Sequence, residues 1–279
     1  MLSKLIGQEF KVTSRYFVPL YICLGVITLL LKLSLTLTIG NNTVFYSGSS
    51  NTVTEIINVL LIMLYVIILI GIVLLTYFII IRRFYTNMFS DEGYLMFTLP
   101  VTTGQLLNSK LIVAFIWQFL MIPATLLSFF ILFVNTDIIK AMPQFFSQLS
   151  LELHTLQISG FSIGLIIVEL IAAVIVQLLG LVLMCYLSIT LGQHLWAEHR
   201  LIGSILAFLG IYTVESLISS FAGIFIGNAL VSSAYILTAA DAFSYFNRVL
   251  PLTILSNIIL VIIYYVVTHY MLNKKLNLN

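Results

Sequence analysis

Three ionisable side chains interrupt long apolar runs: Lys32, Glu169 and Glu215. A charge inside hydrocarbon is costly, so such residues face a bundle interior or a wet cavity. A lysine and a carboxylate at one depth could pair, relay protons, or hold a polar part of a cargo. The depths here match. Lys32 lies seven residues before the end of the run 17–39. Glu169 lies eight after the start of 161–190, and Glu215 seven before the end of 201–222. At 1.5 Å per residue, each sits roughly 10–12 Å below the same boundary. The expectation is an intramembrane polar path in which Lys32 faces Glu215 or Glu169. The plainer alternative is that Lys32 snorkels outward and each glutamate bonds to a neighbouring helix.

Other reactive residue types are sparse. His194, Glu198 and His199 fall together in HLWAEH. A zincin helix needs two histidines four apart with a glutamate after the first. Here the histidines are five apart and Glu198 adjoins the second. That spacing turns the rings away from a common face, so a solvated turn is expected. His154 and His269 are isolated, and Cys23 and Cys185 read as apolar packing residues. Asn41-Asn42-Thr43 fits a glycosylation acceptor, which matters only in a eukaryotic source. No metal site, cofactor site or catalytic constellation is expected.

The elements that position these residues are apolar spans. Hydrophobic residues make up 61% of the 279 and charged residues 8%, with net charge +2. A soluble domain carries about 25% charged residues, so this chain lacks the means to cover a water-facing surface. The near-neutral balance also argues against nucleic-acid binding. Crossing hydrocarbon takes about 20 apolar residues. Six runs qualify: 17–39, 56–81, 111–134, 161–190, 201–222 and 250–271. The expected fold is therefore an all-α membrane protein with six transmembrane helices, forming one domain over 1–279. Residues 1–16 lack the apolar h-region and cleavage site of a signal peptide.

Lys and Arg in the flanks set direction. Lys4, Lys11, Arg15, Arg82, Arg83, Lys110, Arg200, Lys274 and Lys275 fall on one side; Lys140 and Arg248 fall on the other. Both termini are thus expected in the cytoplasm, in a plasma-membrane protein. The longest segment between spans is 29 residues. Independent folds below about 40 residues usually need disulfides or metal. No G-x-x-x-x-G-K-[ST] phosphate loop is present, so ATP, if used, is bound by another chain.

Some segments depart from a plain six-helix pattern. Leu2, Leu5, Ile6 and Phe10 have helical spacing opposite Lys4, Gln8, Glu9 and Lys11, which suggests an amphipathic interfacial helix over 2–12. Met142, Phe145, Phe146, Leu149 and Leu153 suggest a surface helix within 135–160. Segment 223–249 starts apolar, with a G-x-x-x-G at Gly223 and Gly227, then turns polar. It reads as a re-entrant or interfacial helix pair packed on protein. Residues 82–110 read RRFYTNMFSDEGYLMFTLPVTTGQLLNSK. Arg82 and Arg83 should stop the second span, Asp91-Glu92-Gly93 should turn, and Pro100 should break a helix. Thr102 or Thr103 should cap a new helix from about Gly104 through Lys110.

That layout, together with DEGYLMFTLPVTTGQLLNSKL, resembles the permease subunits of bacterial type-2 ABC exporters. LGQHLWAEHRLIGSILAFLGIY, from Leu191 to Tyr212, is similar in kind to the segment after their fourth span. The resemblance covers the whole chain in layout and is specific over roughly 82–110 and 191–212. It implies a coupling helix between spans two and three, carried by Asp91, Glu92, Gly93, Tyr94, Phe97, Leu99, Pro100, Thr102, Gln105 and Leu106. It implies a separate ABC ATPase subunit, a second permease subunit, and short extracellular helices between spans five and six. The chain would then be a transport subunit, not an enzyme, exporting an amphipathic peptide, drug or lipid-like cargo. Two other classes stay open. An ion-coupled secondary transporter could use Lys32, Glu169 and Glu215, but usually shows repeated halves. An intramembrane enzyme needs carboxylate or histidine pairs at metal or acid–base spacing.

Overall fold

The computed structural model of the chain describes residues 2–41, 52–90, 93, 101–158, 163–195, 199–231 and 239–274. Among the described residues there are seven helices and no strand. They are α1 (Leu2–Asn41), α2 (Thr52–Phe89), α3 (Thr103–Phe133), α4 (Thr136–Ile158), α5 (Ile163–Leu195), α6 (Arg200–Val231) and α7 (Ala239–Lys274). All but α4 contain a stretch long and apolar enough to cross a membrane. Helix is the expected solution, because hydrocarbon offers backbone N–H and C=O groups no partner outside the segment. The side chains follow the same logic. Leu24, Ile27 and Leu31 of α1 are buried, while Ile22, Val26, Leu29 and Leu33 are exposed. Apolar groups on the outside as well as the inside are what a lipid solvent permits. The chain is a multi-pass membrane protein.

The helices form two compact units: Met1–Arg83 with Ile112–Ala141, and Phe84–Leu111 with Met142–Asn279. In the first unit, α1 and α3 run parallel. Thr13 meets Trp117, Thr28 meets Ser128, and Lys32 meets Leu132. Helix α2 runs the other way, with Arg83 beside Glu9 and Asn58 beside Ser34. Leu24, Ile27, Leu31, Tyr65 and Ile72 form its core.

In the second unit, α5 packs against both α6 and α7. Leu183, Met184, Leu187 and Tyr264 form its core, with Phe208, Ile211 and Leu260 against them. Gly192 lets α5 and α6 meet closely. A Cβ there would run into the Ser204 backbone nitrogen, so any larger residue must force the backbones apart.

The helices outrun the apolar runs. Helix α1 is 40 residues, roughly 60 Å at 1.5 Å per residue, twice the hydrocarbon thickness. Residues 2–12 are helical, as their spacing indicates, but they belong to the same unbroken helix as the first span. Arg82 and Arg83 do not stop α2, which continues to Phe89. Arginine is a good helix former, so a charge ends the membrane-crossing stretch without ending the helix. The separate short helices expected over 223–249 are not what the described residues form. Residues 223–231 extend α6 and 239–249 begin α7. Gly223 and Gly227 lower helix propensity without removing a hydrogen bond, so the helix runs through them. A helix does form within 135–160, as α4. Its Phe145, Phe146, Leu149 and Leu151 are exposed.

Candidate functional site

The carboxylate of Glu215 faces a cleft in the second unit. Helices α5, α6 and α7 build it, with Val176, Gln177, Gly180, Tyr212, Asn257, Leu260 and Tyr264 among the lining residues. The cleft holds about 80 Å³, room for several waters or one small polar group. Three local features place it. Gly180 on α5 brings that helix close to α7; a Cβ there would lie 3.3 Å from Val261. Asn257 and Tyr264 are seven residues apart on α7 and so share a face. The Tyr264 hydroxyl donates to Glu215 Oε2 at 2.9 Å. That bond fixes the carboxylate and leaves its second oxygen for another donor.

Lys32 has different partners from those its depth suggests. Its ammonium donates to the carbonyls of Leu132 at 3.0 Å and Val134 at 2.5 Å, and to Asn135 Oδ1 at 2.9 Å. An ammonium has three protons, and all three are used. Leu132 lies in the last turn of α3, where carbonyls have no intrahelical donor. A cation there also suits the negative end of the helix dipole. Within its own unit, Lys32 is thus the C-terminal cap of α3. Glu169, on α5, has a buried Oε2 with no hydrogen-bond partner.

Of the expected coupling residues, Asp91, Glu92, Tyr94, Phe97, Leu99 and Pro100 lie outside the described residues. Gly93 is buried and donates its N–H to the Ser90 carbonyl at 2.7 Å. A Cβ on Gly93 would sit 2.8 Å from the Met88 carbonyl oxygen, so only glycine fits without a shift. Thr102 is the N-cap of α3. Its Oγ1 accepts from the Gln105 N–H at 3.3 Å, and Gln105 Oε1 accepts from the Thr102 N–H at 3.4 Å. This reciprocal arrangement is a capping box. Leu106 is fully buried one turn later.

The start of α3 is tied to the end of α7. Thr103 Oγ1 hydrogen-bonds Asn273 Oδ1, and Gly104 packs against the His269 ring. His269 stacks on Tyr265 and lies within hydrogen-bond reach of Asn273. Lower in the same unit, the Tyr186 ring stacks on Phe84 with centroids 3.8 Å apart, and its hydroxyl donates to the Lys110 carbonyl.

The first unit carries a polar seam that its sequence did not announce. Glu9, expected on a solvated face, is buried and pairs with Arg83 at 3.0 Å. Trp117 Nε1 donates to Thr13 Oγ1 at 2.8 Å, and its ring stacks between Phe10 and Phe17. The Tyr21 hydroxyl donates to the Trp117 carbonyl. Thr28 donates to the Leu24 carbonyl, so it accepts from Ser128, which in turn accepts from Tyr65. Gln118 is also buried here, with its amide atoms lacking a partner in the protein.

His194 and His199 are both exposed, and Glu198 lies outside the described residues. Among the described residues no group of three His, Cys, Asp or Glu side chains could hold a metal. Asn42 and Thr43 of the glycosylation pattern lie outside the described residues. Cys185 is buried and Cys23 exposed, and both are free thiols.

A signal for the missed cleft partners does exist in the sequence. Gln177, Asn257 and Tyr264 are polar residues inside spans, and the last two share a helix face. No family model matches the chain, and no curated protein and no solved structure matches it.

Proposed function

We propose that the chain is the transmembrane permease subunit of an ATP-driven exporter of the ABC type. In this reading a separate ATPase binds the cytoplasmic segment between α2 and α3, and closure of the ATPase moves the spans. The observation that carries the reading is the junction at the start of α3. A capping box at Thr102 and Gln105 starts the helix immediately after the 91–100 segment. Thr103 and Gly104 then bind the last turns of α7. A push on 91–100 is thereby delivered to two apolar helices at once.

Orientation follows from the charges. In the first unit Lys4, Lys11, Arg15, Arg82 and Arg83 collect at the end where α1 starts and α2 finishes. The positive-inside rule puts that end, with the N-terminus, in the cytoplasm; Lys274 and Lys275 argue for the same side of a plasma membrane for the C-terminus. Cysteines placed at Ser147 and Ser244 should label from outside in a background lacking Cys23 and Cys185. Cysteines at Ser90 and Gln193 should not. Outside labelling at Ser90 contradicts the orientation.

The coupling role is tested by Glu92→Lys and Leu99→Asp. One reverses a contact charge and the other removes an apolar anchor. Both variants should insert normally and lose ATPase association and transport. Normal association and transport in both sinks this segment as the docking site.

One observation favours a second reading. Glu215 in its cleft could couple transport to an ion, as in a secondary transporter. Transport by the isolated chain on a proton gradient, with no ATPase present, selects that reading over the first.

A further inference from the structure

We propose that the Glu215 cleft binds the ammonium head of an organic cation. The assignment deepens the permease reading, on which it rests for calling the ligand cargo. Three features of the cleft select the class.

The first is charge. Among the described residues that line the cleft, Glu215 is the acidic group and none is basic. One carboxylate oxygen accepts from Tyr264; the other has no hydrogen-bond partner and is not among the buried unsatisfied atoms, so it is accessible. A cation entering there gains a full opposite charge inside a low-dielectric region.

The second is the wall. Val176, Leu181, Leu260 and Val261 give hydrocarbon surface, and Tyr212 and Tyr264 add aromatic rings. Apolar walls with an aromatic face suit a quaternary or alkyl ammonium, whose charge is spread over carbon-bound hydrogens. A bare divalent ion fits poorly. Calcium takes six to eight oxygen ligands. Glu215, two phenols and the amides of Gln177 and Asn257 do not supply six anionic or carbonyl oxygens on one centre.

The third is size. A cavity of about 80 Å³ takes a trimethylammonium-sized head and leaves the remainder of an amphipathic molecule outside. Tyr264 does not compete for the cation. It donates to the carboxylate, and so holds Glu215 in place for the ligand.

The test uses the purified full chain in lipid nanodiscs, without any ATPase. The probe is radiolabelled benzyltrimethylammonium, and the control is neopentylbenzene, its neutral isostere. Saturable binding of the cation is expected, with the isostere failing to compete. Glu215→Gln keeps the shape and the Tyr264 bond but removes the charge, and should weaken binding at least about tenfold. Tyr264→Phe should weaken it less, about threefold, since the charge remains but loses its anchor. Glu55→Gln on α2 removes a carboxylate elsewhere and should change nothing. All variants are first checked for monodispersity and unchanged melting temperature; a Glu215→Asn variant replaces Glu215→Gln if the latter misfolds.

Equal binding by wild type and the Glu215 variant overturns the proposal, as does equal competition by the neutral isostere. Saturable sodium binding that displaces the probe also overturns it, and makes the cleft a metal-cation site. The exporter reading fails separately. If cation binding holds but no ATPase associates, the cleft assignment stands and the ABC reading falls. If the ATPase associates but the cation does not bind, the reverse is true.

Discussion

The two units use polar residues in opposite ways. In the first, Glu9, Thr13, Thr28 and Lys32 of α1 find partners within the unit. Lys32 caps α3, Arg83 meets Glu9, and Tyr65, Ser128 and Thr28 pass one hydrogen bond to the next. In the second, α5, α6 and α7 pack through leucine, methionine and tyrosine, and Glu215 is left facing a cleft. Polar groups that satisfy each other hold a fold. A carboxylate held by one phenol, with an oxygen to spare, is available to a ligand. A charge inside an apolar run is therefore not functional by its type alone. Lys32 and Glu215 each interrupt such a run, yet one caps a helix and the other lines a cleft.

The comparison predicts that charge removal costs stability in the first unit and function in the second. The largest effect is expected for Lys32→Met. It strands the Leu132 and Val134 carbonyls and the Asn135 side chain; because the site is only partly buried, the loss should be about 2–3 kcal/mol, the worth of roughly one bond to a charged group. Adding Glu215→Gln or Glu169→Gln should not restore the loss. A melting series in detergent reads both, and rescue by either second change would show that the lysine pairs with a carboxylate after all.

Arg83→Met comes next. The side chains of Arg83 and Glu9 are 27% and 7% exposed, so the pair is half-screened by solvent. The loss should be about 1–2 kcal/mol, below the 3–5 seen for fully buried pairs. A double-mutant cycle with Glu9→Gln should give a coupling of similar size. Additivity of the two changes removes the pair from the account of the first unit.

The smallest effect on stability is expected for Glu215→Gln. The amide oxygen can still accept from Tyr264, so the change should fall within about 0.5 kcal/mol. Transport, in contrast, should drop strongly. A melting temperature that falls as far as that of the Lys32 variant would erase the contrast between the units.

Much of the fold was legible because the bilayer imposes a simple rule. Apolar length marks each span, and all six expected runs fall within or almost wholly within the long helices. Helix ends were less legible. Apolar length measures hydrocarbon, and α2 passes Arg82 and Arg83 because nothing in their chemistry ends a helix. The T-x-x-Q pattern at Thr102 was readable, since a capping box is local. The cap on α3 was not. Two of the three acceptors of Lys32 are backbone carbonyls a hundred residues away, and every residue has a carbonyl, so no side-chain pattern marks them. Glu215 could be singled out as a charge in a span. Its partner Tyr264 is 49 residues distant, and only the packing of α6 and α7 in one unit brings the two together.

The most direct test of the exporter account is to purify the chain from its source membranes in gentle detergent and assay what comes with it. The account predicts a stoichiometric soluble ATPase subunit, ATP hydrolysis by the complex, and ATP-dependent export after reconstitution, all reduced by Leu99→Asp. A chain that purifies alone and transports on an ion gradient without ATP would contradict it.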